Sequence, residues 1–153
     1  MNILLVCTGN TCRSAMAEGI LNKIISENGI SGKLNILSAG ISVFSPTPAS
    51  ENAVLTLKEM GIDISSHISR QLTDDMINNA SLILTMTNSH KQIIQSVCNE
   101  ISDKIFTLNG YAYGTDTDIS DPYGMDLDTY KKTAEQIYNA LKNAYPKFTD
   151  MVK

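Results

Sequence analysis

Four short apolar runs, Ile3–Val6, Leu34–Leu37, Ser81–Thr85 and Lys104–Leu108, are spread along the chain with helix-length segments between them. This alternation is the strongest constraint on the fold. Short apolar runs bounded by loop residues suit buried strands, and strands that alternate with helices pack as a mostly parallel sheet covered by helices. Ser14–Glu27 carries Met16, Ile20, Leu21, Ile24 and Ile25 at helical spacing. Ala49–Met60 carries Val54, Leu55, Leu57 and Met60, with Gly61 as its stop. Asn88–Val97 reads as a shorter helix. Asp128–Lys147 is the longest, with Tyr130, Ala134, Ile137, Tyr138, Leu141 and Tyr145 on one face. A chain of 153 residues is the size of one domain, here residues 1–153.

The first strand candidate stops at Cys7, and the first helix candidate starts beside Arg13. Between them lies CTGNTCRS, Cys7 to Ser14. Backbone N–H groups at a helix start, with the positive end of the helix behind them, bind anions without any lysine. Gly9 and Asn10 are the residue types that most readily take a positive φ, as a loop curling its amides inward requires. Inward amides from Thr8 to Arg13 would form a nest for a tetrahedral oxyanion. The Arg13 guanidinium adds a planar fork for two phosphate oxygens. At the mouth of this positive field the Cys7 thiolate is favoured, and Ser14 can donate a hydrogen bond to it. An anion held beside a nucleophilic sulfur points to covalent catalysis on a phosphoryl group. No Gly-Lys-Ser/Thr follows, so the loop is not one that holds a nucleoside triphosphate.

Other features narrow the class. The net charge of −4 and pI near 5.0 argue against non-specific binding to nucleic acid or an anionic membrane. No apolar segment is long enough to span a bilayer, and no signal peptide is evident, so a cytoplasmic protein is expected. The three cysteines, Cys7, Cys12 and Cys98, suggest reduced thiols, and with only His67 and His90 no zinc-finger spacing arises. His90 reads as part of a solvated helix face. Two loops stand out: Ser42–Ser50, rich in Ser and Pro, and the acidic Asn109–Asp128. Loops of this length in a compact domain are usually functional. The second contains Asp116 and Asp118, but its sixth and twelfth positions, Asp121 and Leu127, rule out a calcium loop.

Together, CTGNTCRS near the N-terminus and DPYG at Asp121–Gly124 make the chain resemble the low-molecular-weight protein tyrosine phosphatases. SAG at Ser38–Gly40, HISRQL at His67–Leu72 and LTMTNSHK at Leu84–Lys91 extend the likeness over nearly the whole sequence. The resemblance implies a doubly wound, four-stranded parallel sheet flanked by helices on both faces. It also implies hydrolysis through a phosphocysteine, with no metal and no cofactor. Cys7 would be the nucleophile, Arg13 the phosphate clamp and Asp121 the general acid, then the general base. Ser14, Ser38 and His67 would support a loop strained at Asn10. Phe44 and Tyr123 would line the entrance.

Within that family the threonine at Thr11 resembles the bacterial protein arginine phosphatases, where tyrosine-specific members carry a bulky aliphatic residue. Gly124 replaces a second aromatic residue, which shortens the wall for a leaving group. One of Asp116, Asp118 and Asp121 would pair with a cationic guanidinium. The expected protein is a monomer that acts on phosphorylated protein and releases inorganic phosphate, with phosphoarginine as substrate and phosphotyrosine as the alternative. An arsenate reductase built on the same loop would need two further cysteines downstream, and only Cys98 follows. A phosphate-binding module without catalysis is the third reading. Cys12 is either a small buried residue or a partner for a reversible disulfide with Cys7.

Overall fold

The computed structural model describes the chain from Met1 to Lys153, the side chain at position 99 excepted. Four strands, β1 (Asn2–Cys7), β2 (Asn35–Gly40), β3 (Leu82–Thr85) and β4 (Ile105–Thr107), form one sheet in the order β2-β1-β3-β4. All three pairings are parallel. Six helices surround it: α1 (Arg13–Glu27), α2 (Glu51–Glu59), α3 (Asp74–Asn79), α4 (Asn88–Val97), α5 (Leu108–Tyr113) and α6 (Leu127–Met151). Among the described residues, no helix is long and apolar enough to cross a membrane.

The pleat of β1 divides the core. Ile3, Leu5 and Cys7 pack with residues of α1, α2 and α6, including Met16, Leu57, Ile137 and Phe148. Leu4 and Val6 point the other way, with Ile77 of α3 and Ile94 of α4. Successive strand side chains face opposite layers, so a strand covered on both faces is apolar at every position. Ligand crevices in such sheets open where the strand order reverses, beyond the carboxyl ends of the strands. Here that point is the end of β1, between β2 and β3, and Cys7 is its last residue.

The elements depart from expectation in four places. Strand β2 runs on to Gly40, because its register pairs Cys7 with Gly40. Strand β4 ends at Thr107, whose Oγ1 accepts a bond from the Gly110 amide at 2.9 Å and caps α5, which takes Leu108 from the expected strand and runs on into the expected loop. Helix α3 has six residues, too few to show periodicity, although Thr73 caps it and Asp74 and Asp75 fill its first turn. Helix α6 continues past Pro146 to Met151. The fully buried Phe148, stacked on Tyr111 at 5.8 Å, anchors that last turn.

Gly40 fixes how closely β2 approaches the Cys7 loop. A Cβ there would lie 2.6 Å from the Thr8 carbonyl oxygen and 3.0 Å from the Asn10 amide nitrogen, so only glycine admits the loop at this distance.

Candidate active site

The loop from Cys7 to Arg13 crosses from the end of β1 to the start of α1, and helix capping shows what it is built for. Helices α2 to α6 each have a side chain that accepts a bond from their first-turn amides: Ser50, Thr73, Thr87, Thr107 and Asp126. Helix α1 has no such cap and no acidic residue in its first turn. Its free N–H groups and its dipole are left to an external anion.

Asn10 is the hinge of the loop. It is fully buried, and among the described residues it is the one non-glycine with a positive φ, 57°. Asparagine tolerates that conformation at modest cost, and every polar group it carries is satisfied. Its amide donates toward Cys7 Sγ at 3.3 Å. Its Nδ2 donates to Ser14 Oγ at 2.8 Å and to Ser38 Oγ at 2.9 Å. Its Oδ1 accepts from the Arg70 amide at 3.0 Å, and its carbonyl lies 2.7 Å from His67 Nε2. Gly9 does not share the positive φ, contrary to expectation. A Cβ at Gly9 would find only Thr11 Oγ1, at 3.7 Å.

This network orients hydrogens. Ser14 Oγ already accepts from Asn10, so its own hydrogen is free for Cys7 Sγ, 2.9 Å away. Ser38 accepts from Asn10 and donates to Glu18 Oε1 at 3.0 Å. Glu18 also faces His67, with 3.9 Å between Oε2 and Nδ1. Burial pushes the Glu18 carboxyl up, but the facing His67 ring and the bond from Ser38 outweigh it and hold the group below its ordinary value. The carboxylate therefore faces two of the groups that hold Asn10, Ser38 and His67. Glu18 escaped the sequence reading because nothing local marks it, although it lies one helical turn beyond Ser14.

Cys7, Thr8, Gly9, Thr11, Cys12, Arg13, Asp121 and Tyr123 line a cleft of about 270 Å³. Arg13 is buried; its Nη1 donates to the Ile119 carbonyl at 3.3 Å and its Nη2 lies 3.5 Å from Asp121 Oδ2. The Asp121 side chain is 56% exposed, so this pair can separate for a ligand. Asp121 Oδ1 accepts from the Tyr123 amide at 3.0 Å. A turn from Pro122 to Met125 follows, closed by a 2.9 Å bond, with Gly124 at φ 75° in its third position. That conformation accounts for a glycine at position 124 without reference to a leaving group.

Two expected placements need correction. Phe44 is fully exposed and lies outside the residues that line the cleft, because the Ser42–Ser50 segment carries it into solvent. His90, read as solvated, is buried, with Nε2 2.8 Å from Thr8 Oγ1. Burial, then the Arg13 charge, push its pKa down to about 4, so the ring is neutral near neutral pH. Only the fold brings it to the loop, 82 residues away in sequence. Cys12 is a buried free thiol with Sγ 3.2 Å from Tyr130 Oη. Burial and the Cys12 contact push the Tyr130 phenol up to about 12, which keeps its hydroxyl protonated.

A free thiol at a strand end, an uncapped helix start, a buried guanidinium and an exposed carboxylate gather around one small cleft, the arrangement that phosphoryl transfer needs. The sequence profile described as low molecular weight phosphotyrosine protein phosphatase matches residues 2–152, and the chain belongs to this family. It is a cysteine-dependent protein phosphatase. The protein-arginine-phosphatase of Bacillus subtilis (strain 168) is 40% identical over 142 residues, covering 93% of each chain. The structure of a YwlE arginine phosphatase C7S mutant with a phosphorylated active-site serine superposes with a TM-score of 0.92 at 39% identity, over 97% of this chain and 96% of that one. A low molecular weight protein tyrosine phosphatase from T. tengcongensis superposes with a TM-score of 0.90 at 44% identity, over 96% and 99%.

Proposed function

We propose that the chain hydrolyses phosphoarginine in proteins, with Cys7, Arg13 and Asp121 as its catalytic residues. The phosphoryl group would take the place Asp121 holds against Arg13 and meet the free amides of the loop. Cys7 sulfur attacks phosphorus, the P–N bond breaks, and Asp121 protonates the departing guanidine nitrogen. Water then attacks the phosphocysteine, Asp121 takes its proton, inorganic phosphate leaves, and the Cys7 thiolate returns. Ser14 stabilises that thiolate in both half-reactions.

One observation carries the choice of leaving group: Thr11 lines the cleft beside Cys7 and Asp121. Its branched side chain places a hydroxyl, rather than a larger aliphatic surface, along the path of the leaving group. The name of the Bacillus subtilis relative agrees with this reading. Of the acids expected to meet a guanidinium, Asp116 is turned toward Thr107 Oγ1 at 3.2 Å. Asp118 uses Oδ1 to accept from the Asn88 amide at 2.9 Å, which leaves Oδ2 for a cation. Phosphotyrosine is the second reading, favoured by Tyr123, whose exposed ring lines the same cleft. The protein would act as a single-domain monomer in a reducing cytoplasm, a setting its free thiols support.

The test compares kcat/KM for phosphoarginine and phosphotyrosine peptides in the wild type and in Thr11→Ile. The wild type should favour phosphoarginine, and Thr11→Ile should shift the ratio toward phosphotyrosine by about tenfold, the effect of one or two methylenes in a pocket. An unchanged ratio would remove Thr11 from the specificity argument.

A further inference from the structure

His90 lies outside the machinery described above, yet it touches the phosphate loop directly. Its ring is buried, its Nε2 is 2.8 Å from Thr8 Oγ1, and its Nδ1 is buried without a partner. A neutral ring has two tautomers. With the hydrogen on Nδ1, a buried N–H would have no acceptor, the rarer and costlier state. With the hydrogen on Nε2, only a bare lone pair is left at Nδ1, and Nε2–H donates to Thr8 Oγ1. The second arrangement fixes the direction of the threonine hydroxyl. Its oxygen already accepts from His90, so its own hydrogen is free to point away. Thr8 lines the cleft with Cys7 and Arg13, and a hydroxyl hydrogen turned toward the cleft can be donated to an anion there.

We propose that His90 is a positioning residue that turns the Thr8 hydroxyl into a hydrogen-bond donor for a phosphoryl oxygen. The opposite orientation would aim an oxygen lone pair at an anion. In the His90 orientation the relay runs one way, from the imidazole N–H to the threonine O–H to the phosphoryl oxygen. Because α4 carries His90, the relay also ties the loop after β1 to the helix after β3. The inference rests on phosphoryl transfer at Cys7.

The test measures the inhibition constant of inorganic phosphate and the kcat/KM for p-nitrophenyl phosphate at near-neutral pH. The full-length proteins are wild type, His90→Ala, His90→Gln, Thr8→Val, Thr8→Ser and the double variant Thr8→Val/His90→Ala. His90→Ala and Thr8→Val should each weaken phosphate inhibition by about fivefold to tenfold, the size of one hydrogen bond to a charged group. The double variant should be no worse than Thr8→Val. His90→Gln, which keeps an N–H donor within reach, should recover most of the His90→Ala loss, and Thr8→Ser, which keeps the hydroxyl, should be inhibited by phosphate more strongly than Thr8→Val. Additive losses in the double variant, or Thr8→Val inhibited as strongly as the wild type, would overturn the proposal. The Thr8→Val result decides the matter even if His90→Ala fails to fold. Turnover that survives in Cys7→Ser would instead overturn the chemistry on which the relay rests.

Discussion

Asn10→Ala tests whether the loop conformation is held by this one side chain. The substitution removes three side-chain bonds, to Ser14, Ser38 and the Arg70 amide, all in a fully buried setting. At about 1 kcal/mol each they contribute about 3 kcal/mol. Alanine at φ 57° adds about 1 kcal/mol of backbone strain, for about 4 kcal/mol in all. Against a total stability of about 5–15 kcal/mol, the variant should fold but unfold at much lower urea. Asn10→Gly loses the same bonds without the strain and should be about 1 kcal/mol more stable than the alanine variant. Asn10→Asp keeps the shape and the acceptor for Arg70 but aims carboxylate oxygen at both serines. The Ser14 hydrogen would then turn from Cys7 to the carboxylate, so activity should fall more than stability. Urea unfolding gives the stability order, and p-nitrophenyl phosphate turnover gives the activity order. An alanine variant within about 1 kcal/mol of wild type, or more stable than the glycine variant, would refute the reasoning.

Two further perturbations probe the surrounding electrostatics. His90 titrates at about 4 when folded, against 6.5 in an ordinary environment, so between these values the unfolded chain binds more protons. Stability should therefore fall as pH drops through this window, by at most about 3 kcal/mol from this residue. Denaturation of His90→Gln at pH 4 and pH 6.5 should show a shallower loss than wild type, while the contribution of Glu18, of the same sign, remains in both; identical slopes would exclude His90 as the source. Asp121→Asn should slow hydrolysis most for substrates with poor leaving groups, seen across a series of aryl phosphates, and equal slowing for all would remove Asp121 from the acid role.

The sequence carried the fold where periodicity is local and lost it where contacts are distant. The apolar runs marked β1 and β3 because strands buried on both faces are continuously apolar. The extent of β2 was hidden, since Ser38, Ala39 and Gly40 join the sheet through register with β1, not through hydrophobicity. Helix α5 was lost in a loop because its start depends on Thr107 and its stretch includes Gly110. The tight loop between β1 and α1 was legible from CTGNTCRS because all of its backbone comes from one segment. His90 was not, since a histidine on a short polar helix reads as solvated until the fold sets it on Thr8. Phe44 shows the converse: an aromatic in a Ser/Pro loop suggested a wall, and the fold leaves it in solvent.

The charge arrangement explains how an acidic protein can accept an anionic substrate. The net charge of −4 is set by the surface as a whole, whereas the cleft holds the Arg13 guanidinium and the uncapped start of α1. In a partly desolvated cleft these nearby charges outweigh a diffuse negative surface, because interactions beyond about 10 Å are screened by salt. Asp121 balances Arg13 in the free enzyme, so the guanidinium is not left bare in a buried position. A phosphoryl group would replace that balance and release Asp121 toward the leaving group. Under the proposed function Asp121 would then serve twice, as the partner of Arg13 and as the acid of the reaction, and Arg13 need not move between the two roles.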